Sequence, residues 1–370
     1  MHMLETTLLT GPYDWDETLM PRAEFAARIG AARAIARQHS CDGLIVGGTS
    51  PEHGALGYLT GFVPKLGPAL AFIPGEGEPR IVFSGGGAML SSAQRLTFIS
   101  DVRAMRDPGQ EFAAWLGETR VKRLGLWGDY AITQEVRHAL DRNAPSPLVV
   151  LDAELDALRR RKSERESGLI VRASEIVGLT LGELRTATGN GRGVRTAAIA
   201  AERVAYARGA QDVRMLVSKR DGGTPEPIIG THDPQVDPLL ACIAVRFAGY
   251  WAEGCATITA KRSAALVAVE TARAAVIAAI KPGAVPSRLH ATARDALGGL
   301  QVHPIVAASL GNGLGVSREE SPLLGVRDSS PLQDGDVCAL RFGAVADATD
   351  SAIVSAMVRV GPKGAELVWR

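Results

Sequence analysis

At 370 residues the chain is longer than one ordinary domain and comfortable for two, and 46% hydrophobic against 22% charged residues is the balance of a globular protein with a sizeable core. A formal net charge of +1, with Lys and Arg dispersed, excludes both the basic footprint of a nucleic-acid binder and an acidic tail. Four cysteines, at 41, 242, 255 and 338, form neither a C-x-x-C motif nor a zinc spacing, which fits reduced thiols in a cytoplasmic protein, and no apolar run approaches the roughly 18 residues that argue for a membrane helix.

Apolar residues at Phe25, Ile29, Ala32 and Ile35 predict an amphipathic helix over 21–39. Gly43-Leu44-Ile45-Val46 reads as a buried strand broken by Gly47-Gly48, and Tyr58 to Phe62 as an ordered loop or short strand. Strands over 69–73, 80–83, 123–126 and 148–151 alternate with helices over 112–116 and 133–140. That alternation predicts an α/β N-terminal domain over 1–155.

A helical block starts at 153, breaks near Arg161 at an expected interdomain hinge, and resumes to 184. Helices follow over 196–207, over 263–280 and from an N-capping Ser287 to 296. Strands over 215–217, 239–247, 250–259, 337–342 and 353–360 complete the chain, with a polar loop over 218–238. Helix pairs interleaved with antiparallel strands predict an α+β C-terminal domain over 156–370.

The glycine-spaced stretch Gly311-Asn312-Gly313-Leu314-Gly315 leads into Val316-Ser317-Arg318-Glu319-Glu320-Ser321-Pro322. It is no phosphate loop, since neither G-x-G-x-x-G nor G-x-x-x-x-G-K-[ST] occurs. It gains meaning from an ordered series of motifs: Tyr58-Leu59-Thr60-Gly61-Phe62, Arg159 to Glu166, Gly230-Thr231-His232-Asp233-Pro234, Gly249-Tyr250-Trp251-Ala252-Glu253, Lys281-Pro282-Gly283, and Leu332 to Val337. This series resembles the creatinase/prolidase/aminopeptidase P family. The resemblance covers nearly the whole chain and implies a pita-bread C-terminal domain behind the α/β domain.

Metal-dependent members of that family hold two divalent ions with two Asp, one His and two Glu. The resemblance lays those positions on Cys242, Glu253, Asn312, Arg341 and either Ser355 or Asp350. A permanent guanidinium at one ligand position, and one matched carboxylate at most two, do not suit hard or borderline cations. No metal and no cofactor are therefore expected. The chain most resembles creatinase, a metal-free relative that splits a C–N bond with a histidine, and His232 matches that histidine.

Read as chemistry, His232 in its polar loop is the candidate general acid/base, since imidazole titrates near neutral pH. Glu253, Glu319 and Glu320 are the candidate catalytic carboxylates. Neighbours alternate in direction, so only one of the last two should face the pocket. Arg341 sits alone in the apolar strand Cys338-Ala339-Leu340-Arg341-Phe342 and needs an anionic partner, from the protein or from a substrate. Asn312, Phe62, Cys242 and Arg246 complete the candidate substrate-binding set. The expected activity is metal-independent hydrolysis of a C–N bond in a small polar molecule, by a cytoplasmic homodimer with no nucleic-acid or membrane partner. A lyase, cyclase or isomerase on the same scaffold, or an inactive pseudo-peptidase binding peptide or protein, are the alternatives.

Overall fold

The computed structural model describes residues 15–369, which fall into two compact units meeting in sequence at Arg159 and Arg160.

In the first unit, helix α1 (Arg22–Gln38) precedes β1 (Gly43–Gly48), α2 (Gly54–Thr60), β2 (Ala69–Pro74), β3 (Arg80–Ser84), α3 (Leu90–Arg95) and β4 (Asp101–Met105). Helix α4 (Pro108–Glu118), capped by Asp107, leads to β5 (Leu124–Trp127), and α5 (Gln134–Asn143), capped by Thr133, leads to β6 (Val149–Val150) and α6 (Asp152–Arg160). The strands form one mixed sheet in the order β4-β3-β2-β1-β5-β6. β1 is buried along its length, so no polar alternation is needed and the sequence is a continuous apolar run. Phe72 and Phe112 each stack on Trp115, in one core cluster with Ile45 of β1.

The second unit opens with α7 (Glu164–Gly189), begun by a reciprocal capping box between Ser163 and Glu166. Helix α8 (Val194–Ala207), β7 (Asp212–Val217), β8 (Glu226–Pro227), β9 (Leu239–Phe247) and β10 (Tyr250–Ile258) follow. Helices α9 (Ala264–Ala279) and α10 (Pro286–Ala296) lead to β11 (Gln301–Val302), β12 (Ser309–Gly313), β13 (Glu320–Gly325), β14 (Val337–Val345), β15 (Ser351–Gly361) and β16 (Gly364–Trp369). One sheet runs β10-β9-β7-β8; the other runs β13-β12-β14-β15-β16, with β11 on β14. Alanine-rich α9 packs its Val269, Ala272 and Val276 with Leu340, Phe342 and Val358 of the second sheet. Side chains stitch the sheets where β10 meets β15: Thr257 Oγ1 donates to the Ile353 carbonyl at 2.9 Å, and Cys255 N–H donates to Ser355 Oγ at 2.6 Å.

Three local expectations are corrected. Tyr58-Leu59-Thr60 ends helix α2, not a loop or strand; all seven residues of that helix are buried, and Gly61 at φ 70° closes it. β1 continues through Gly47 and Gly48, whose missing side chains make room for Ile132 and Leu56. Helix α10 starts with Pro286 in its first turn after Val285, so Ser287 is inside the helix and caps nothing.

His303 and His290 are buried, and burial holds both imidazoles below the usual histidine range, for His290 against a smaller opposing pull from a backbone hydrogen bond at Ala307. His303 Nδ1 accepts the Ile305 N–H at 3.3 Å, a role an imidazolium could not fill. The unfolded chain therefore binds protons more readily, so stability is full above the ordinary histidine pKa and is lost as pH falls through the lowered folded values. His303→Asn keeps an acceptor and removes the titration. Urea titrations between pH 7.5 and 5 should show a shallower pH dependence for this variant; an unchanged slope would contradict the assignment.

Candidate functional site

The site grows from strand alternation. A tight turn at Ala248-Gly249, both with positive φ, folds β9 back on β10 and fixes the register. Residues two apart share a face, so Leu216, Cys242 and Cys255 form one row across β7, β9 and β10, and Arg214, Ala244 and Glu253 form the next. These rows line a cavity of about 330 Å³, which Ile305, Arg318 and Arg341 also border.

Arg341 crosses it from β14. Its Nη2 donates to Glu253 Oε1 and, at 3.0 Å, to Asn312 Oδ1, while Arg318 Nη1 lies 3.3 Å from the other oxygen, Glu253 Oε2. Asn312 is fixed in turn, since its Nδ2 donates to the carbonyls of Gly313 and Arg318 at 2.8 and 2.9 Å. Gly311 allows this approach: its φ is 145°, and a Cβ there would strike the Ala339 carbonyl oxygen. Burial works against the Arg341 charge, but Glu253 and the two nearby thiols outweigh it and raise the guanidinium pKa.

Cys242, Glu253, Asn312, Arg341 and Ser355 come together. Arg341 stands opposite Ser355 across β14 and β15, and Ser355 Oγ contacts Cys255, whose cross-strand neighbour is Cys242. Asp350 lies elsewhere, with its carboxylate toward the Ala265 N–H at the start of α9. A dinuclear centre does not fit this set. The guanidinium already fills the space between Glu253 and Asn312, and a neighbouring cation repels a metal that one carboxylate would have to hold. Among the described residues, no group of three or more His, Cys, Asp and Glu could hold an ion.

The remaining candidates separate. His232 is exposed and forms no hydrogen bond or ion pair among the described residues; its neighbour Asp233 instead caps the start of α8 through the Arg195 and Thr196 N–H groups, at 2.7 and 3.1 Å. Glu319 is exposed. Glu320 is buried and pairs with Lys162 Nζ at 3.0 Å while accepting the Ser317 N–H at 2.9 Å. Its carboxylate is thus a structural staple of the turn, and neither glutamate joins the Arg341 cluster. Arg246 is on the Cys242 face but buried, with its guanidinium 5.6 Å from the Trp251 ring. Phe62 belongs to the first unit, buried 5.9 Å from the Phe83 ring.

Two arginines were missed. Arg318 carries no local pattern that marks it, since it sits between Ser317 and the two glutamates of the same turn. Arg214, half exposed and 4.8 Å from the Trp251 ring, shares the Glu253 row, which alternation along 212–217 could have revealed.

The paired antiparallel sheets, flanked by helices, are those of a pita-bread fold. The model for metallopeptidase family M24 matches residues 169–362, more than half of the chain, and the chain belongs to that family. Solved structures agree on the fold throughout. The dipeptidase PepE from Mycobacterium ulcerans matches with TM-score 0.74 at 20% identity, covering 94% of this chain and 96% of that one. The Xaa-Pro dipeptidase from Bacillus anthracis matches with TM-score 0.73 at 16% identity over 93% and 97%. The N-terminal domain of the FACT complex subunit SPT16 from Cicer arietinum (chickpea) matches with TM-score 0.65 at 17% identity over 94% and 96%. No match was found among the curated proteins. No described helix is long and apolar enough to cross a membrane.

Proposed function

We propose that this chain is a metal-independent member of the family whose cleft binds a small molecule through an anionic group. The observation that carries this reading is the Arg341 guanidinium on Glu253 and Asn312. Arg214, Arg318 and Arg341 border the cavity with the single carboxylate Glu253, and although Arg214 also lies 3.6 Å from Asp212, positive charge is in excess. Arginine forks bind carboxylate or phosphate through two parallel hydrogen bonds, and a partly dry cleft strengthens them. A volume of about 330 Å³ suits a small metabolite better than a long peptide.

Hydrolysis of a C–N bond is the second reading, favoured by the Glu253 carboxylate at the cavity wall. A base there must first be released from Arg318 and Arg341, which an incoming anion would do by competing for the same guanidiniums. His232, exposed and without polar partners among the described residues, is not used in either reading.

Calorimetric titration of the purified protein with succinate, citrate and inorganic phosphate in metal-free buffer tests the proposal. Saturable binding of at least one anion, weakening as salt is added, is expected. Absence of binding by all three contradicts it.

A further inference from the structure

We infer that Cys242 and Cys255 form a reversible cross-strand disulfide in the wall of the Arg341 cleft, with a low-molecular-weight disulfide as oxidant. The two residues are directly opposite in the β9–β10 register. The N–H and C=O of Cys255 both engage Ser355 Oγ, at 2.6 and 3.2 Å, so neither is spent on β9. This makes Cys242–Cys255 a non-hydrogen-bonded pair, the kind in which facing side chains approach most closely, with Cα atoms about 4.5 Å apart and within disulfide reach. The thiols are already in contact, Cys255 donating to Cys242 Sγ at 2.8 Å.

The two sulfurs differ in access. Both border the cavity, but Cys242 is half-buried whereas Cys255 is buried. A small disulfide RSSR therefore meets Cys242 first. The Cys242 thiolate attacks one sulfur, forming Cys242–S–SR and releasing RS⁻. The Cys255 thiolate then attacks Cys242 Sγ, forming the Cys242–Cys255 bond and releasing the second RS⁻. Both thiol protons end on the two RSH molecules; the protein loses two electrons and RSSR gains them. Cys338 is pushed up to about 12 by burial, and Cys41 is raised by burial too, so neither competes for the oxidant.

The test uses the reduced full-length protein, incubated with oxidised glutathione, quenched in acid, denatured, alkylated and digested for mass spectrometry. Alkylatable thiols should fall from the four of the sequence to two, with the peptides bearing Cys242 and Cys255 joined, and dithiothreitol should restore all four. Cys255→Ser should stop at a glutathione adduct on Cys242, and Cys242→Ser should leave its three remaining thiols free. Four free thiols in the treated wild type, or a bridge to Cys41 or Cys338, would overturn the inference. The wild-type result needs no variant to fold.

Discussion

Lys162→Met should destabilise the protein by about 3–5 kcal/mol, the usual effect of removing one partner of a buried ion pair. Lys162 and Glu320 side chains are 2% and 3% exposed and 3.0 Å apart, so the variant leaves the carboxylate without its ammonium partner in a site with almost no water. The loss arises from that buried charge more than from the attraction itself. The double change Lys162→Met with Glu320→Gln should therefore recover most of it, because a neutral amide can still accept the Ser317 N–H. Urea unfolding of the four proteins in the cycle reads the coupling directly. Equal losses for the single and double variants would show that Glu320 is held by something other than Lys162.

Arg341→Leu should weaken anion binding by about 10- to 150-fold, the 1.5–3 kcal/mol of a hydrogen bond to a charged group. The guanidinium makes contact with Glu253 and Asn312 at once, and a leucine replaces neither contact. Arg341→Lys keeps the charge but loses the planar fork, so its affinity should fall between the two. Arg318 remains on Glu253 Oε2 at 3.3 Å, which limits the structural damage. The readout is the succinate, citrate or phosphate titration that works for the wild type. Unchanged affinity in Arg341→Leu would place the anion elsewhere.

The alternating strands and helices, and the order of the motifs, made most of the fold legible. Register was not legible in the same way: the short turn at Ala248-Gly249 sets Cys242 opposite Cys255 by equal distance along each arm, and that pairing is visible only in the structure. The importance of Arg341 was legible for a physical reason: a lone cation in an apolar strand must find an anion, and it found Glu253. The role of Glu320 was not, because its partner Lys162 is 158 residues away and nothing local announces the pair. His232 looked suited to catalysis by residue type and loop polarity, yet neither property fixes where a loop side chain points. Helix α2 was misread because a stretch of small and apolar residues, Gly54 to Thr60, carries no helical period when every face is buried.

The Arg341 guanidinium occupies the space between Glu253 and Asn312, where it opposes any bound cation. Element analysis of protein dialysed against Mn²⁺, Co²⁺ or Zn²⁺, with calorimetric titration of Mn²⁺ into the same sample, tests it most directly. The account predicts far less than one equivalent of bound metal and no saturable heat. One or two tightly bound equivalents per chain, lost in a Glu253→Gln variant, would contradict it.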